Sequence, residues 1–115
     1  LIPAPVMVQL CMGIPWGAPN DLNTFMAMIN NVPSDWVSSA ISIARHQMPY
    51  VAAAVLAGAN VRVGLEDNLW LGKGHLATNA ELVARAASII DAMGVEIMTP
   101  DEVRAELNLT KRDLP

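Results

Sequence analysis

The sequence predicts an α/β fold of parallel strands with covering helices: the last three βα units of a (β/α)8 TIM barrel, followed by a short C-terminal helix. Three observations point there. Strand-like alternation gives way to helical periodicity three times in succession, and strands that alternate with helices pair in parallel through right-handed crossovers. Each predicted strand has one aliphatic face and one face of small or polar residues. Helices on both faces of a sheet favour near-continuous Val, Ile and Leu, whereas the interior of a barrel near its mouth tolerates polar residues. Finally, the third strand runs into Arg62-Val63-Gly64-Leu65-Glu66-Asp67-Asn68, which puts three charges on an otherwise buried-looking segment. A full barrel takes about 250 residues, so 115 residues supply only part of one. The chain opens on Leu1 and enters a strand almost at once, so residues 1–115 read as the carboxyl-terminal fragment of a single barrel domain.

The first strand is Val6 to Met12, with Val6, Val8, Leu10 and Met12 on one face and Met7, Gln9 and Cys11 on the other. Cys11 reads as a small buried hydrophobe, and its being alone excludes an internal disulfide. The loop Gly13-Ile14-Pro15-Trp16-Gly17-Ala18-Pro19 ends the strand. Leu22, Phe25, Met26 and Ile29 then recur at helical spacing, predicting a helix from about Asn20 to Asn30. The second strand is Trp36 to Arg45: Ile41 and Ile43 form its aliphatic face, and Ser38, Ala40, Ser42, Ala44 and His46 the other. That alternation sends His46 to the mouth of the barrel, either lining the substrate or in a structural role. Pro49 suits the first turn of the next helix, which runs to Gly58.

The third strand is Val61 to Glu66, with Val61, Val63 and Leu65 on one face and Arg62, Gly64 and Glu66 on the other. A loop containing Gly72 and Gly74 follows, and Lys73 between them reads chiefly as a solvated lysine, with contact to a ligand phosphate as the alternative, since barrels often bind phosphate after their last strands. Thr78-Asn79-Ala80-Glu81 is a capping box that opens the longest helix, which Gly94 stops. Thr99-Pro100-Asp101-Glu102 repeats the pattern and predicts a final helix to about Leu107.

Composition narrows the function. A formal charge of −4 and the lack of any Lys/Arg cluster in the sequence weigh against nucleic acid. The most apolar run, Met48 to Ala59, falls well short of the ~20 residues that a membrane-spanning helix needs. No signal peptide opens the chain, and the lone cysteine fits a cytoplasmic setting.

Burying unpaired ions costs several kcal/mol each, so the charges of Arg62, Glu66 and Asp67 must meet a metal, a ligand or one another. Alternation sends Asp67 to the side opposite Glu66. Both enter one site only if the strand has ended there or bulges.

The Arg62 to Asn68 heptapeptide after an alanine-rich helix, then Ala77-Thr78-Asn79-Ala80-Glu81-Leu82-Val83, resembles the carboxyl-terminal part of the β-keto acid cleavage enzymes. Arg45-His46-Gln47-Met48-Pro49 and the Gly13-Ile14-Pro15 turn share the likeness. The resemblance implies a zinc-dependent barrel that cleaves a 3-keto acid with acetyl-CoA, giving acetoacetate and a new CoA thioester, in a homo-oligomer, typically a tetramer. Under it, Glu66 matches the carboxylate ligand of Zn2+, and Arg62 and Asp67 match the catalytic charged pair. The family's two further ligands form a His-x-His pair, which this sequence lacks, so the chain alone is expected to be inactive. Two rival readings stand beside this one: a non-catalytic element that joins the rest of a barrel or other copies of itself through open strand edges, and another acyl-CoA-handling barrel enzyme. A metal trio of His46, Glu66 and His75 has no supporting spacing.

Overall fold

The computed structural model describes residues 2–110. Strand β1 (Met7–Met12) leads through the Gly13 turn to helix α1 (Leu22–Ile29), then to β2 (Val37–Ser42). A single 3₁₀ turn over Ala44–His46 passes directly into α2 (Gln47–Leu56). Next come β3 (Asn60–Val61), a hairpin of β4 (Trp70–Gly72) and β5 (His75–Leu76), α3 (Asn79–Ala92) and α4 (Pro100–Glu106). Strands β1, β2 and β3 form one parallel sheet in that order, with Leu10 opposite Ala40 and Ala40 opposite Val61.

Local sequence accounts for the helix starts. Asp21 caps α1 by accepting from the Thr24 backbone N–H. Thr78 and Thr99 each accept from the N–H three residues on, while Glu81 and Glu102 reach back to the cap residue's own N–H. Both predicted capping boxes are therefore present.

The register decides which sheet face the helices cover. Leu10, Met12, Ala40, Phe25, Tyr50, Ala54 and Ala59 pack as one buried cluster, with Val61 against it. Phe25 and Tyr50 meet edge to face, their centroids 5.5 Å apart, a favoured aromatic geometry. The helix side of β2 is thus its small-residue face, Ala40 and Ser42, and Ile41 lies on the opposite face level with Cys11. This reverses the sequence expectation for that strand. The large side chains Met12, Phe25 and Tyr50 already fill the layer beneath the helices, so close packing leaves only small residues room there.

Three further expectations are corrected. Cys11 is exposed, although Ile41 level with it on β2 is buried. The third strand ends at Val61, not Glu66, although Arg62 N–H still bonds the Ala40 carbonyl. The stretch around Gly72 and Gly74 is a short antiparallel hairpin rather than a plain loop.

Candidate active site

Because β1, β2 and β3 are parallel, their carboxyl ends lie along one edge, the usual place for ligands in α/β sheets. The first of these exits is held tightly. Gly13 adopts φ +77°, and a Cβ on it would meet Ser42 Oγ at 3.2 Å, while that hydroxyl donates to the Met12 carbonyl. A side chain at Gly13 would push against the neighbouring strand end.

The exit from β3 carries the charges. After Arg62 the chain leaves the ladder and turns at Leu65–Asp67. The Gly64 carbonyl organises the turn by accepting from Asp67 N–H, Asn68 N–H and the buried Gln47 side-chain amide. Leu65 N–H donates to Asn79 Oδ1 at 3.1 Å, tying the turn to the start of α3. On the other side Ala44 N–H donates to the Asp67 carbonyl at 2.6 Å, fixing the turn to the exit from β2. Asn68 is buried, and its side chain donates to the Trp70 carbonyl and accepts from Trp70 N–H.

This turn removes the conflict that strict alternation creates. Arg62 Nη2 donates to Glu66 Oε2 and also to Asp67 Oδ2, the latter at 3.2 Å. All three predicted residues meet around one guanidinium. They also line a concavity of about 440 Å³ with Val63, Gly64 and Asn79. Burial separates the two carboxylates: the Asp67 side chain is 17% exposed and that of Glu66 79%. Among the described residues, neither Glu66 Oε1 nor Asp67 Oδ1 has a hydrogen-bond partner. Two carboxylates around one guanidinium leave a formal charge of −1, which suits a cation or a proton to be moved.

The residues also bear on a metal. A catalytic zinc takes three protein ligands, and no group of three or more His, Cys, Asp or Glu able to hold a metal occurs among the described residues. Glu66, exposed and with one unengaged oxygen, can supply one donor. His46 does not join it. The strand stops at Ser42, so alternation no longer governs His46, which lines a groove with Phe25, Met26 and Tyr50 and accepts from Arg45 Nε. His75 lies 3.1 Å from Glu81 Oε1.

One feature has only a partial counterpart in the sequence, where Lys73 alone points to a phosphate. Arg45, Lys73 and Arg85 line a second concavity, of about 470 Å³, beside Trp70 and Asn68. They lie 28 and 12 residues apart along the chain, a separation that leaves no local pattern to find.

Fold and site together define a parallel α/β protein with an ionic site where its strands end, an arrangement typical of enzymes acting on small molecules. A family model described as beta-keto acid cleavage enzyme matches residues 1–109, and the chain belongs to that family. Over 112 residues it is 69% identical to the 3-dehydrocarnitine:acetyl-CoA trimethylamine transferase of Rhizobium meliloti (strain 1021), covering 97% of this chain and 37% of the relative. It is 36% identical to the 3-keto-5-aminohexanoate cleavage enzyme of Fusobacterium nucleatum, covering 96% of this chain and 40% of the relative. With the 3-oxoadipate:acetyl-CoA acetyltransferase of Cupriavidus necator the identity is 30%, over 93% and 39%. The chain therefore spans about two fifths of the length of the curated relatives it matches.

Proposed function

We propose that this chain forms the strand-end wall of the active site in an acetyl-CoA-dependent β-keto acid cleavage enzyme with a (β/α)8 barrel. The observation that carries the reading is the bridging of Glu66 and Asp67 by Arg62 at the carboxyl end of β3.

Asp67, the less exposed carboxylate, is the base that takes a proton from the carbon between the keto and carboxyl groups. Arg62 holds Asp67 in place and faces the negative charge that develops on the substrate. Glu66 is one ligand of a zinc whose other donors come from outside the described residues; when bound, zinc supplies Lewis-acid polarisation of the keto oxygen. The atoms balance without an external oxidant or reductant. The deprotonated carbon bonds to the acetyl carbonyl carbon as the acetyl C–S bond breaks; the freed CoA thiolate attacks the original keto carbon, the bond between that carbon and the former carbanion breaks, and the released acetoacetate carbon takes the proton back from Asp67. Acetoacetate and a new CoA thioester result.

The relative sharing 69% identity is named for 3-dehydrocarnitine, so a 3-keto acid bearing a trimethylammonium group is the first substrate to test. A cytoplasmic homo-oligomer completes the proposal. The complete gene product, supplied with zinc, acetyl-CoA and a panel of keto acids, should release acetoacetate. Glu66→Gln should lower that turnover by at least about a hundredfold, the scale of losing a principal electrostatic group, and should reduce bound zinc. Unchanged turnover and metal content would remove Glu66 from the site.

A second reading, an assembly element without catalysis, is favoured by the open sheet edges. An acetoacetate assay of the complete gene product separates the two.

A further inference from the structure

The chain is acidic overall, with a formal charge of −4, yet three of its cations line a concavity that no carboxylate lines. Among the described residues there are five Lys and Arg side chains. Arg62 and Arg104 are each paired with acidic side chains. The other three, Arg45, Lys73 and Arg85, make no salt bridge among the described residues and all line the 470 Å³ concavity, whose lining contains no Asp or Glu. Like charges gathered without counter-charges repel one another, and an anionic ligand relieves that repulsion.

The surroundings narrow the anion. Arg45 comes from the 3₁₀ turn after β2, Lys73 from the tip of the β4–β5 hairpin between Gly72 and Gly74, and Arg85 from α3. Arg85 Nη1 donates to the Leu71 carbonyl, which holds the arginine against the hairpin. Trp70 lines the same space and is 51% exposed, leaving ring surface for a base to stack on. Three cations around an open aromatic ring suit a phosphorylated nucleotide better than a lone small anion. Position completes the case. Asp67 lines the ionic site and the next residue, Asn68, lines this concavity, so the two spaces are neighbours across one turn.

We infer that the Arg45, Lys73 and Arg85 concavity binds the phosphorylated adenosine end of coenzyme A, leaving the thioester end to extend toward Arg62, Glu66 and Asp67. The inference rests on the proposed acetyl-CoA-dependent reaction for its choice of nucleotide. The cations themselves do not take part in the chemistry.

The test uses the complete protein and two acetyl donors: acetyl-CoA, and S-acetyl-N-acetylcysteamine, which ends short of the phosphates. Binding of free CoA by calorimetry runs alongside. Lys73→Ala and Arg85→Gln should each weaken CoA binding and lower kcat/KM for acetyl-CoA by about tenfold, the scale of one charge-assisted hydrogen bond to phosphate. With the short thioester both variants should match the unaltered protein, and Lys73→Arg should restore CoA binding. Equal losses with both donors, or no loss with either, would overturn the subsite. If the unaltered protein makes no acetoacetate yet binds CoA in a Lys73- and Arg85-dependent way, the proposed reaction fails and the nucleotide subsite stands.

Discussion

At the scale of single residues, Arg62 turns three nearby charges into one site. A guanidinium presents donors in a planar fork, and here one nitrogen serves two carboxylates that a continuous strand would have sent to opposite faces. Asn79 is the less obvious partner. Its Oδ1 accepts from Leu65 N–H and would lie 3.3 Å from a Cβ built on Gly64, so it sets the shape of the turn from the far side. Asn79→Ala should cost about 1 kcal/mol of stability, the net worth of a hydrogen bond, read as a lower denaturation midpoint of the complete protein. It should also reduce turnover, since Glu66 and Asp67 ride on that turn, while Asn79→Asp keeps an acceptor and should lose less.

Single elements owe their starts to chemistry within four residues. Hydrogen bonds from the Thr78 backbone and side chain hold the Glu81 carboxyl below its ordinary range, with His75 adding to the effect; Thr99 does the same for Glu102. A carboxyl whose pKa is lowered by folding releases its proton more readily in the folded state, so folding gains stability where the group is ionised. That gain is fully present above the ordinary Glu pKa and fades as pH falls through it toward the lowered folded value. Glu81→Gln should therefore reduce the melting temperature of the complete protein at neutral pH, and the gap from the unaltered protein should shrink in acid. A gap independent of pH would show that the charge of Glu81 plays no part in the cap.

For the molecule as a whole, surface outruns mass. A self-contained protein of this size exposes about 6,100 Å² and has a radius of gyration near 13 Å by general scaling. This chain of 12.3 kDa exposes 8233 Å² and has a radius of 15.1 Å. The excess has a visible source. The sheet ends at β1 and β3 with no further strand among the described residues, and Met7, Cys11, Trp16 and Leu76 are exposed. Open parallel edges and uncovered apolar surface recruit partners. Expressed by itself, the 115-residue chain should sediment as species well above 12.3 kDa. A monodisperse monomer with cooperative unfolding would show that it needs no covering partner.

What was legible in the sequence is what depends on neighbours a few positions away. The alternation of strand and helix, both Thr-x-x-Glu caps and the closeness of Arg62, Glu66 and Asp67 all lie within such reach. Three features were not. The β2 face that meets the helices is chosen by the volume that Met12, Phe25 and Tyr50 leave beside Ala40 and Ser42, and hydrophobicity alone picks the Ile41 face instead. The third strand stops early because the Gly64 carbonyl accepts from Gln47, seventeen residues away, and from its own turn. The convergence of Arg45, Lys73 and Arg85 requires a 3₁₀ turn, a hairpin and a helix to be set against one another. Short-range order follows from backbone sterics and local hydrogen bonds, which residue type encodes directly. Which faces meet and which charges gather depends on how packed elements share space, and that is settled only when the chain is folded.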